Sequence, residues 1–223
     1  GGVLAAARRP WPQFRRRIIV LGLRYKEFPL ITFPHIMVHA ALGLLFAAIL
    51  GAVYGAAALG QYYLMRKLVF GVLALFSLAF YQHAVAEAAR VHRAKLFGVA
   101  LQALVLMGGV AVVSVGVILL FGQELFVLAV GDKWAEAGLM AAASAPLILL
   151  EPVTSAFAFL PIFLGLQRIA FAVAVVQGSV GIAAIGIAGL LGWDVMNAIL
   201  ASSLAMSTVM LSYVLWLLVR AHR

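Results

Sequence analysis

Cysteine is absent from the chain, and only seven of its 223 residues are acidic. The first absence excludes disulfides and thiolate metal sites. Charge of either sign is scarce. Charged residues make up 10% and apolar residues 66%, against about 25% and about 45–50% in a soluble domain. With a mean hydropathy of +1.14, these proportions exclude an ordinary soluble fold. Catalytic signatures are missing as well. The chain has no Asp-x-Asp pair, no His-Glu-x-x-His and no Gly-x-Ser-x-Gly, so no enzyme is expected, and a membrane-embedded glycosyl or acyl transferase stands only as an alternative. No secretory signal peptide opens the chain, which starts on Gly1; a piece or later half of a longer polypeptide is expected.

Long, unbroken apolar runs are what the sequence does have. They lack the alternation of barrel strands and read as helices. The expected fold is an all-α polytopic membrane bundle of six spans, at about 30–54, 62–86, 97–121, 139–164, 169–191 and 195–219. The second is the most telling. Its apolar run is bounded by Arg66 and Lys67 at one end and by Tyr81, Gln82, His83 and Glu87 at the other. Residues 122–138, with Glu124, Asp132, Lys133 and Glu136, are expected to lie at the interface, anchored by Trp134. Gln167 and Arg168 are expected to form a tight loop, and Gly192-Trp193-Asp194 another turn. Residues 1–29 carry seven Lys and Arg. There Trp11, Phe14, Ile18, Leu21 and Tyr25 recur at helical spacing, an amphipathic helix for the headgroup layer and a cytoplasmic connector.

The net charge of +9 does not point to nucleic acid, because the charges fall between apolar runs rather than in a patch. They do orient the bundle. With residues 1–29 in the cytoplasm, 13 of the 16 Lys and Arg lie on that side and 3 on the other. That bias obeys the positive-inside rule and leaves the C-terminus cytoplasmic.

Three strings occur in order: Arg24-Tyr25-Lys26-Glu27-Phe28-Pro29-Leu30 with Pro34; Gly60-Gln61-Tyr62-Tyr63-Leu64-Met65-Arg66; and Gly131-Asp132-Lys133-Trp134-Ala135-Glu136-Ala137-Gly138. Pro146, Pro152 and Leu164-Gly165-Leu166-Gln167-Arg168 follow. In this order the chain resembles the C-terminal half of oligosaccharide flippases. These are the O-antigen and polysaccharide-biosynthesis translocases of the multidrug/oligosaccharidyl-lipid/polysaccharide exporter superfamily. The resemblance implies one lobe of a two-lobe, alternating-access transporter in the bacterial inner membrane. Its implied partners are a missing N-terminal lobe, membrane lipid and a polyprenyl-diphosphate-linked oligosaccharide. A drug exporter of the same superfamily is the alternative. Where the family often has asparagine in the first span of this lobe, this chain has His39.

Single residues then stand out. Arg66 reads either as a snorkelling interfacial cation or as a cavity contact for a diphosphate or acidic sugar. Lys67, about 100° further round an α-helix, is expected on another face. Glu151, directly before Pro152 in mid-span, reads as a protonated carboxyl bonded to a neighbouring helix or as a proton- or sodium-coupling site. His35 and His39 share a helix face and read as packing or cavity lining, since a third metal ligand is lacking. Gln82, His83 and Glu87 are either solvated by headgroups or cytoplasmic gate contacts. Ala174, Gly178, Gly181, Ser203 and Ser207 read as helix-packing positions. No cofactor is expected. Arg66 and Glu151 are expected on a common face of the bundle.

Overall fold

The computed structural model describes the backbone of residues 27–90 and 96–222, with side chains from residue 37 onward in those ranges. The amphipathic helix expected within 1–29, His92, Arg93 and Lys95 lie outside the described residues, as does the side chain of His35. The chain forms two compact units, Gly1–Val38 and His39–Arg223. In the first, the described backbone is helical from Glu27. Every contact below lies in the second.

The described residues are helical throughout, without strands. They form α1 (Glu27–Met65), a π-helical turn (Arg66–Phe70), α2 (Gly71–Ala88), α3 (Leu96–Val130) and a 3-10 turn (Asp132–Trp134). Then come α4 (Ala135–Ala143), α5 (Ala145–Ala156), α6 (Phe159–Leu164), α7 (Gln167–Leu190) and α8 (Val195–His222). Four stretches are long and apolar enough to cross a membrane: Met37–Ala88, Leu96–Val130, Gln167–Leu190 and Val195–His222. The pair Asp132–Ala143 and Ala145–Ala156, bent by 66°, makes up to five. The protein is therefore a helical membrane bundle.

The 52-residue stretch Met37–Ala88 would be about 78 Å long as one straight helix, against a hydrocarbon core of about 30 Å. It is not straight. Gly55 has φ 89° and ψ 166°, a conformation essentially confined to glycine. The rings of Phe46 and Tyr62 stand 5.3 Å apart, and a Cβ on Gly51 would lie 3.1 Å from the Leu59 side chain. In a straight helix the first pair would be about 24 Å apart. The chain thus folds back on itself at Gly55.

A second fold-back follows the same recipe. Gly131 has φ 99° and ψ 165°, and the backbones of Gly122 and Gly138 pack against each other so closely that a Cβ on Gly138 would meet the Gly122 carbonyl oxygen at 2.5 Å. This corrects the interfacial segment expected over 122–138. Residues 125–130 read Leu-Phe-Val-Leu-Ala-Val and continue α3 beyond Glu124. The polar stop is Gly131-Asp132-Lys133, and α4 then runs back along α3. Averaging the segment's few charges over its whole length hid the apolar run inside it.

Gln61 ties the two fold-backs together. Its side-chain NH2 donates to the Lys133 carbonyl at 2.6 Å, and its Oε1 accepts from the Ala137 N–H at 3.1 Å. A Cβ on Gly189 would lie 2.6 Å from Val53, and one on Gly178 would lie 2.7 Å from Leu42. The spacing of 11 residues on both helices, three turns each, shows that α1 and α7 run side by side in the same direction. The turns at Gly55, Gly131 and Gly192 therefore gather at one end of the bundle. At the other end Ala88, Leu96, Phe159, Leu160, Leu217 and Ala221 share one apolar cluster.

One further expectation needs correction, and one is refined. The span expected at 139–164, with breaks at its prolines, is divided into α4, α5 and α6, with the first break at Ser144, two residues before Pro146. Pro146 supplies no N–H for the carbonyl four residues back, which interrupts the helical ladder there. The loop expected at Gln167 and Arg168 is instead the first turn of α7. The reversal is made by Gly165, whose φ of 69° ends α6. Gly181 abuts α8, where the Ser202 hydroxyl donates to its carbonyl at 3.0 Å. Ser203 and Ser207 are buried on that helix.

Candidate functional site

Apolar helices have few means of holding a polar group, so the positions of the exceptions matter. Arg66 opens the π turn, and its Nη1 lies 3.5 Å from the Tyr62 hydroxyl as donor. The guanidinium also stands 4.9 Å over the Phe70 ring. Both contacts draw the cation inward along its own helix, where Tyr62 is buried. On the opposite wall α5 carries Glu151. Pro152 lacks the N–H that the Ile148 carbonyl would accept. The Ser77 hydroxyl donates to the Leu73 carbonyl at 3.0 Å and reaches the Pro152 carbonyl at 3.5 Å, tying α2 to the proline turn.

Between these walls lies a cavity of about 190 Å³. Its polar lining is His39, Tyr62, Tyr63, Arg66, Glu151 and Gln177. Gly43 of α1 and Gly178 of α7 border it too; a Cβ on Gly43 would meet open space, whereas the bare Gly178 admits Leu42. Arg66 and Glu151 interact electrostatically across it. Among the described residues Glu151 makes no hydrogen bond and no ion pair. A second void of about 30 Å³, bordered by Phe70, Ser77, Glu151, Pro152 and Ser155, touches Glu151 from behind. It has room for about one water molecule. The carboxyl therefore borders two spaces of mixed polar and apolar lining inside an oily bundle.

The structure thus brings together His39, Arg66 and Glu151, three of the residues singled out by sequence. It does not bring Gln82, His83 and Glu87 to them. Gln82 and His83 are exposed and Glu87 is half-buried near the end of α2; His83 packs edge-on against Phe80 at 6.0 Å. None of these three borders the cavity. Sequence reasoning passed over Tyr62, Tyr63 and Gln177. Gln177 is the lone amide in the interior of α7, and its isolation was the available signal; attention to the small residues around it hid it. Lys67 does not border the inner cavity that Arg66 lines, in keeping with its expected place on another face; both nevertheless border an outer groove, with Tyr63, Phe70 and Trp134. A π turn places more residues in each revolution than an α turn, so neighbouring side chains diverge by less than 100°.

Among the described residues no three His, Cys, Asp or Glu side chains come together in a way that would hold a metal ion. What the cavity offers is one fixed cation, one unpaired carboxyl, an imidazole, an amide and two phenol rings. That set combines hydrogen-bond donors and acceptors with one charge of each sign. No family model, curated protein or solved structure matches this chain.

Proposed function

We propose that this chain is one six-span lobe of a bacterial inner-membrane translocase. It moves a polyprenyl-diphosphate-linked oligosaccharide by alternating access against a second lobe. The observation that carries this reading is the polar cavity of His39, Arg66, Glu151 and Gln177 inside a bundle with an apolar exterior. Ionisable groups in a membrane interior are costly and occur where they pair or face water. The fold-back at Gly55 supports counting Met37–Ala88 as two crossings, which with the bent pair gives six. It also supports a cytoplasmic C-terminus, because Arg90, Arg168 and Arg220 then sit opposite the glycine turns.

Arg66 supplies a planar fork of donors suited to a phosphate. An anionic group arriving at Arg66 leaves the Glu151 charge uncompensated. A proton or sodium ion taken up at Glu151 restores the balance and links substrate to ion. Labelling of lipid-linked glycan on the outer leaflet tests the reading. Arg66→Ala and Glu151→Gln should each slow its appearance roughly tenfold or more, since a charged hydrogen bond is worth about 1.5–3 kcal/mol. Unchanged rates in both variants would remove the cavity from the mechanism.

A further inference from the structure

Among the described residues three Lys and Arg lie toward the glycine-turn end, Arg66, Lys67 and Lys133; Arg66 and Lys67 border one groove, and Lys133 stands beside it over Trp134. A groove of about 700 Å³ on the outside of the bundle is lined by Tyr63, Leu64, Arg66, Lys67, Phe70 and Trp134. The Lys133 ammonium stands over the Trp134 ring at 5.6 Å. Asp132 and Glu136 lie on the neighbouring turn and do not line the groove. Interfacial anchors would be scattered around the bundle and would snorkel outward separately. Convergence on one groove instead builds a local positive field, strengthened by the apolar walls around it.

Exposed apolar surface adjoins the groove. Leu68, Val72 and Leu75, at helical spacing on the stretch leaving Lys67, are all exposed. A ligand filling both parts has an anionic head and an apolar chain. We propose that this groove binds the phosphate-bearing headgroup of an anionic lipid, with its chain along Leu68, Val72 and Leu75. Tyr63 and Arg66 border both the groove and the inner cavity. Binding here does not depend on the translocation reading, and its test involves no transport.

The experiment uses the protein in phosphatidylcholine nanodiscs, with Trp11, Trp193 and Trp216 replaced by Phe so that Trp134 alone reports. Dodecyl phosphate brominated in its chain should quench Trp134 at far lower concentration than a neutral alkyl glucoside with the same brominated chain. Lys67→Gln and Lys133→Gln alter exposed side chains. Each should weaken quenching about fivefold, the value of one basic residue at an anionic surface. Melting temperature checks that both variants remain folded. Excess inorganic phosphate should not displace the probe. Equal quenching by the neutral probe, unaltered binding in both variants, or displacement by inorganic phosphate would each overturn the proposal.

Discussion

Arg66 and Glu151, on separate helices, line one cavity, with Arg66 drawn inward by the Tyr62 hydroxyl at 3.5 Å and the Phe70 ring at 4.9 Å. The two charges act on each other without forming a direct ion pair among the described residues. Glu151 is therefore left without a direct partner among the described residues, while Arg66 is held by Tyr62 and Phe70. Tyr62→Phe removes the hydroxyl but keeps the ring packed against Phe46. Translocation should fall while thermal stability changes by less than about 1.5 kcal/mol, the range for shape-conserving swaps. Equal loss of both would make Tyr62 a packing residue only.

Gln61 provides a sharper test of the fold. Gln61→Leu leaves the Ala137 N–H without its side-chain acceptor and frees the Lys133 carbonyl. A buried amide left without a partner costs about 1–3 kcal/mol. Melting in detergent should drop accordingly, and hydrogen exchange at Ala137 should accelerate. Exchange at the wild-type rate would show that the two fold-backs do not need this link.

Two glycine substitutions should separate crowding from backbone strain. Gly138→Ala would place a methyl 2.5 Å from the Gly122 carbonyl oxygen and should cost about 1–3 kcal/mol by overpacking. Gly131→Ala meets no atom within 4 Å, but its φ of 99° disfavours any side chain, at about 1–3 kcal/mol. Gly108→Ala is the control, with open space around a helical glycine. It should be neutral or stabilising by up to about 1 kcal/mol. A destabilised control would indicate that α3 packs differently.

The membrane bundle was legible in the sequence because apolar length is a one-dimensional property. The turn at Gly192 lies where the Gly192-Trp193-Asp194 triplet puts it, between α7 and α8. The fold-back at Gly55 falls in a short, uncharged stretch that also reads as a loop. Other features depend on contacts. The continuation of α3 to Val130 is favoured by α4 lying along it, and that requires Gly122 and Gly138 to meet across the hairpin. The π turn at Arg66 has no periodicity of its own, so Lys67 could not be assigned to the groove from an α-helical wheel. Gln177 stood out in the sequence only as a lone amide, because the polar groups it meets in the cavity come from α1, α5 and the π turn, far off in sequence.

The absence of cysteine makes the central claim directly measurable, because any introduced thiol is unique. Single cysteines at His39 and Gln177, which line the cavity, are compared with one at Leu75, which is 69% exposed on the bundle exterior. A polar, membrane-impermeant maleimide requires a thiolate in contact with water. In intact membranes His39→Cys and Gln177→Cys should react and Leu75→Cys should not. If both cavity positions stay as unreactive as Leu75→Cys, the space around Arg66 and Glu151 is dry, and the account of a water-accessible polar path is contradicted.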